Sequence, residues 1–137
     1  MANITTAAYK VLDDAFSNEV KSVKLTYDFS ADGGLDANQY RMAITDRAIL
    51  VVSAIVQVET AFTSGGLATV TIGAETADPD CFLASTAVGT LVDNYAKAEA
   101  AGQAIVIGSG DYISLNPGTA DLTAGKISLH LMYKNAA

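Results

Sequence analysis

Between Asp46-Arg47 and Glu59 runs a stretch, Ala48 to Val58, built almost wholly of Ile, Val, Leu and Ala, with only Ser53 and Gln57 polar. Bounded by charge and rich in β-branched side chains, it predicts a strand rather than a helix. Successive side chains of a strand point to opposite faces, so this strand is apolar on both. Neither face suits water. Either it is the central strand of a sandwich with a covering segment on its outer side, or another subunit buries that side. A layered β structure, with assembly as an expectation, follows from this one run.

Elsewhere the apolar period is two. Val23, Leu25, Tyr27 and Phe29 alternate with Ser22, Lys24, Thr26 and Asp28, the pattern of a half-buried strand. Leu67 to Ile72 alternates again, and Thr63-Ser64-Gly65-Gly66 predicts a hairpin joining it to the strand before. Three short strands close the chain, over 104–107, 111–115 and 126–134. In the last, Ile127, Leu129, Leu131 and Tyr133 face one way and Lys126, Ser128, His130 and Lys134 the other. Short strands separated by turn residues, with no repeat of fixed period, predict a mainly β fold, an antiparallel jelly-roll-like sandwich.

Two segments read as helical. Thr5 or Thr6 caps a helix over residues 5–16, where Ala8, Val11, Leu12, Ala15 and Phe16 recur at helical spacing. A helix that short is marginal in water, so it lies on the body of the protein or on a partner. Ser85 caps one to two further turns carrying Val88, Leu91, Val92 and Tyr95. The expected organisation is an N-terminal helical segment, 1–18, and a β-sandwich domain, 19–137, in a chain of 137 residues that suffices for one core.

Eight Lys and Arg stand against fifteen Asp and Glu, a net charge of −7. That balance argues against nucleic acid, whose affinity comes from cations on phosphates, and against an anionic membrane surface. The longest apolar run is shorter than the ~20 residues a bilayer-spanning helix needs. One cysteine, Cys81, excludes an intrachain disulfide framework and reads as a buried apolar side chain. The N-terminus has no secretory pattern, and a reducing cytoplasm, or a particle assembled in it, is the expected compartment.

No catalytic pattern stands out, and no enzyme activity is expected. His130 is the only histidine and sits mid-strand, and no Gly-x-Ser-x-Gly elbow occurs. Gly118 to Gly125-Lys126 brackets six residues rather than the four of a phosphate-binding loop, with Ile127 where a hydroxyl belongs. Asp32, Asp36 and Asn38 in one loop, and Asp78 with Asp80 in another, are oxygen ligands of the kind Ca²⁺ takes. Their order departs from the known Ca²⁺ loop, and Asp is common in turns for its own sake. No metal site and no cofactor are assigned. Six scattered tyrosines and no tryptophan argue against a carbohydrate cleft.

The run Ile44 to Val58, then Thr63 to Gly73, then Asp78 to Ala84, and the ending Leu122 to Tyr133 are similar in strand and turn texture to β-rich virion proteins of tailed bacteriophages. The family resembled is that of capsid decoration (cement) proteins and the related head-fibre and tail-fibre domains. The resemblance covers about residues 44–134. It implies a jelly-roll-like sandwich, often a homotrimer, that binds the outer face of the capsid shell and bridges capsomers, with the major capsid protein as partner. It implies a place on the virion surface, after assembly in the host cytoplasm, and brings no catalytic residue. A head-fibre or tail-fibre component, or a carbohydrate- or receptor-binding sandwich, is the alternative. Candidate oligomer-interface residues are Ile49, Val51, Ile55 and Val58 on the two-faced strand. Candidate shell-contact residues are Tyr9, Val11, Leu12 and Phe16 on the N-terminal segment.

Overall fold

The computed structural model describes residues 2–12 and 19–136. Among them are ten strands: β1 (Ala2–Leu12), β2 (Lys21–Asp28), β3 (Asn38–Thr45), β4 (Ile49–Ser64), β5 (Thr69–Ala74), β6 (Asp78–Ala87), β7 (Ala96–Lys97), β8 (Ile105–Ile107), β9 (Tyr112–Gly118) and β10 (Leu122–Asn135). They form two sheets. Sheet I has the order β1-β3-β9-β5-β6, and sheet II the order β2-β10-β4-β7, with β8 also paired to β4. The mainly β sandwich expected from the alternation is the architecture found.

The core lies between the sheets. Sheet II contributes Leu25 and Tyr27 from β2, Ile127, Leu129, Leu131 and Tyr133 from β10, and Ile49, Val51, Val56 and Val58 from β4. Sheet I answers with Tyr40 and Met42 from β3, Ile113 and Leu115 from β9, Val70 and Ile72 from β5, and Phe82 and Leu83 from β6. Each such side chain taken from water contributes roughly 1.5–3 kcal/mol. Tyr27 stands at the centre of an aromatic group, edge-on to Tyr40 at 5.5 Å and stacked on Phe62 at 6.0 Å. Phe62 in turn lies against Gly125, where φ is +141° and a Cβ would come within 2.5 Å of the ring. Only glycine fits there.

Three expectations are corrected. Residues 2–12 are not helical. They form β1, which pairs with β3 in parallel, Ala2 opposite Asn38 and Leu12 opposite Thr45, the one parallel pair among the described strands of an otherwise antiparallel fold. A lone helix of this length has little to hold it, whereas an edge strand gains a ladder of backbone bonds from a neighbour already in place. Residues 13–16 of the expected helix lie outside the described residues. The helix after Ser85 is likewise replaced: β6 continues to Ala87, and one 3₁₀ turn, Val88–Thr90, follows. Finally, β4 and β5 are not a hairpin. They sit in different sheets, so the Gly65-Gly66 loop crosses the sandwich, and β4 pairs with β10 instead.

The acidic loop after β2 is also more ordered than its composition implies. One helical turn, Phe29–Asp32, is capped by the Asp28 carboxylate on the Ser30 N–H. The Tyr27 hydroxyl donates to the Gly33 carbonyl, and the Tyr40 hydroxyl accepts from the Leu35 N–H at 2.7 Å. Burial and the neighbouring Tyr40, Asp32 and Asp28 push the Tyr27 hydroxyl's pKa well up, which keeps it a donor. At the opposite end, the buried Asp111 carboxylate accepts from the Thr76, Ala77 and Tyr112 N–H groups at 2.8–3.0 Å. It ties the β5–β6 turn to β9.

Candidate functional site: the outer face of sheet II

The outer face of sheet II is set by strand parity and by one irregularity. From Ile49 to Val51 the odd-numbered side chains of β4 point inward. Pairing with β10 then slips between Val51–Tyr133 and Ser53–Met132, leaving Val52 as an extra residue. Such a bulge reverses the parity of everything beyond it. Ala54, Val56 and Val58 are therefore buried, and Ile55 is turned out to 42% exposure.

Four large apolar side chains are exposed on this face: Val52 and Ile55 of β4, Met132 of β10 and Val106 of β8. Met132 stands opposite Ser53, and Val106 opposite Leu50. Scattered exposed apolar residues are ordinary, but neighbours in register on one sheet face form a patch. Beside it lies a polar border. His130, opposite Ile55, contacts the Gln57 amide oxygen at 3.0 Å. Glu59 pairs with Lys24 at 3.3 Å and accepts from the Ser128 hydroxyl, which also bonds Thr26 at 3.2 Å. The Ser128 hydroxyl, and then Lys24, hold the Glu59 carboxyl below the usual carboxylate range. Between β2 and β10 a shallow, open depression of about 340 Å³ is lined by Ser22, Val23, Lys24, His130, Leu131 and Met132. Its shape suits a surface contact more than an enclosed small molecule.

The outer face of sheet I is different. Arg41 makes a two-pronged ion pair with Glu75 at 2.9 and 3.0 Å, lies 3.7 Å above the Tyr112 ring, and shares Glu75 with the Ser114 hydroxyl. Pro79 folds down over Gly73, where a Cβ would come within 2.3 Å of its backbone.

The candidate residues from the sequence are dispersed. Ile49, Val51 and Val58 have no exposed surface; they serve the chain's own core and are unavailable to a second subunit, which is a correction. Ile55 alone of that set stands outside. Of the shell-contact set, Leu12 is buried, Val11 is 59% exposed at the end of β1, Tyr9 lies on β1, and Phe16 lies outside the described residues. Val52, Met132 and Val106 were not among the candidates. A signal for Met132 was present: by alternation it falls on the polar face with His130 and Lys134. The bulge that exposes Ile55 has no signature in the sequence.

The acidic loops make bonds of their own. Asp32 accepts from the Asp28 N–H, and Asp121 from the Asp36 N–H. Desolvation raises the Asp32 pKa. Among the described residues no group of three or more His, Cys, Asp or Glu is placed to share a metal ion. Cys81 is buried, and burial pushes its thiol to about 11, which keeps it protonated and unreactive. No described helix is long and apolar enough to cross a membrane.

No protein-family model and no curated protein sequence matches this chain. Solved structures do resemble it in fold. It is similar to a chain in the capsid of Ralstonia phage GP4, at 15% identity and TM-score 0.62, with 99% of each chain covered. It is similar to a chain of the Cyanophage Pam1 capsid asymmetric unit, at 11% identity and TM-score 0.60, covering 90% of each. A third is in the acid-stable capsid of Helicobacter pylori bacteriophage KHP30, at 16% identity and TM-score 0.56, covering 86% of this chain and 89% of the other. The match runs nearly end to end each time, so these are sandwiches of about this size.

Proposed function

We propose that the chain is a structural virion protein of a tailed phage, a decoration protein that lies on the outer face of the capsid shell and stabilises it by bridging capsomers. The observation that carries this reading is the exposed apolar patch of Val52, Ile55, Met132 and Val106, on a sandwich that is similar in fold to chains of three phage capsids over 86–99% of its length. A patch on a flat, strand-built face contributes affinity by apolar burial, about 25 cal/mol per Å². The lysine, histidine and glutamate border adds orientation rather than strength. The partner is the major capsid protein, and the site of action is the virion surface, reached after assembly in the host cytoplasm. A homotrimer is the state implied by the resemblance to decoration proteins. The chain acts by binding and performs no chemical step.

The experiment is direct. Shells assembled without this protein are mixed with the purified chain, pelleted and imaged. The wild-type chain decorates the shell at regular positions, and the Val52→Lys, Ile55→Lys double variant does not, while its circular dichroism and melting stay those of the wild type. Density on the tail instead of the shell, or equal decoration by the double variant, would overturn the reading.

A further inference from the structure

The chain has three methionines and one cysteine. Cys81 and Met42 are sealed in the core, and Met1 lies outside the described residues. Met132 alone among the described sulfur-bearing side chains meets water, at 45% exposure. Alternation along β10 puts it there: Leu131 and Tyr133 on either side are buried between the sheets, so Met132 points out.

Its surroundings leave the thioether open. Across both ladders Met132 stands opposite a serine, Ser53 on β4 and Ser22 on β2, and neither side chain is long enough to cover it. The depression that it lines between β2 and β10 is shallow and open, about 340 Å³, ample for a molecule of a few atoms. The same side chain belongs to the apolar patch with Val52 and Ile55. The oxidation state of one sulfur atom therefore decides whether that part of the face is apolar or polar, because a sulfoxide is a polar group where the thioether was not.

We propose that Met132 is an oxidation site on the outer face of sheet II, and that its conversion to the sulfoxide by a peroxide weakens the contact this face makes. The thioether sulfur attacks one oxygen of hydrogen peroxide and the O–O bond breaks. The sulfur loses two electrons and keeps that oxygen, and the other oxygen leaves as water with both protons. In the free chain the new S=O group stands in water, so the fold is undisturbed. Against a partner surface it must be desolvated, which weakens binding about tenfold where no donor meets it. The consequence for binding rests on the reading of this face as the shell contact; the selectivity for Met132 does not. A bound chain has its sulfur covered, so oxidation acts on chains that have not yet docked.

The test treats the full chain with dilute hydrogen peroxide and locates the added oxygen by peptide mass. In the free chain Met132 is oxidised well before Met42, with circular dichroism and melting unchanged. The treated chain then co-sediments with undecorated shells about tenfold more weakly than the untreated chain. Met132→Leu, compared with itself, binds alike before and after peroxide, which assigns the loss to this sulfur. On decorated shells Met132 is oxidised more slowly than in the free chain. Oxidation of Met42 at the rate of Met132, or equal shell binding by the chain with and without the Met132 sulfoxide, would overturn the proposal while leaving the shell contact standing. Equal oxidation of Met132 on and off the shell, or no shell binding by the untreated chain, would overturn the shell contact of this face and the effect on binding with it.

Discussion

The two outer faces of the sandwich are made from the same kind of strand and finished in opposite ways. On sheet I, Arg41, Glu75, Ser114 and Tyr112 satisfy one another, and Pro79 closes over Gly73. On sheet II, Val52, Ile55 and Met132 stand in water beside a border whose bonds end at Lys24 and His130. The first face has spent its polar groups on itself. The second leaves apolar surface uncovered, and a soluble fold gains nothing from that unless a partner covers it. Stability is thus concentrated in one sheet's exterior, and on the proposed function recognition belongs to the other's.

Substitutions that separate these roles are ordered by their expected effect. Arg41→Ala leaves the Glu75 carboxylate half-buried without its cation and removes the cover from Tyr112. Denaturant unfolding should register a loss of roughly 2–3 kcal/mol, with shell binding of the folded fraction unchanged. Ser128→Ala on sheet II removes bonds to Glu59 and Thr26 and should cost about 1 kcal/mol. Its pH dependence is specific. Glu59 has a lowered pKa in the folded chain, so its contribution is present above the unfolded carboxylate value, about 4.3, and is lost as pH falls through the folded value. Comparing stability at pH 7 and pH 3, the wild type should lose more than Ser128→Ala, by under 1 kcal/mol because Glu59 is exposed. Val52→Ser or Met132→Ser should change stability least, within about 0.5 kcal/mol, and yet weaken shell binding measurably by co-sedimentation. An equal stability loss on both faces would erase the distinction between them.

Much of this was legible in the residues. The inward set of β10, Ile127 through Tyr133, follows simple alternation and is buried as expected. The run at 48–58 is a strand as expected, but its outer face leaves Val52 and Ile55 exposed rather than covered, and which of its residues face out depends on the bulge at Val52, a product of pairing with Met132 and Tyr133 of β10, 80 and 81 positions further along the chain. Local sequence cannot specify an irregularity that arises between two distant strands. The N-terminal segment fails for a related reason: Val11 and Leu12 fit a helical stripe, but a parallel neighbour, β3, outweighs a marginal local preference. The β4–β5 turn has hairpin residues and is used as a crossing, because β4 finds its best partner at the far end of the chain. The sulfhydryl and the acidic loops were read from type alone, and their burial and capping bonds agree with a structural use.

On the proposed function, the outer face of sheet II is the binding face. The most direct measurement is the position of the chain on reconstituted shells, imaged at a resolution that identifies β4 and β10. The expected result is Val52, Ile55 and Met132 buried against the shell and the Arg41–Glu75 face turned to solvent. The reverse orientation, with Arg41 and Tyr112 against the shell and Ile55 in water, would contradict it.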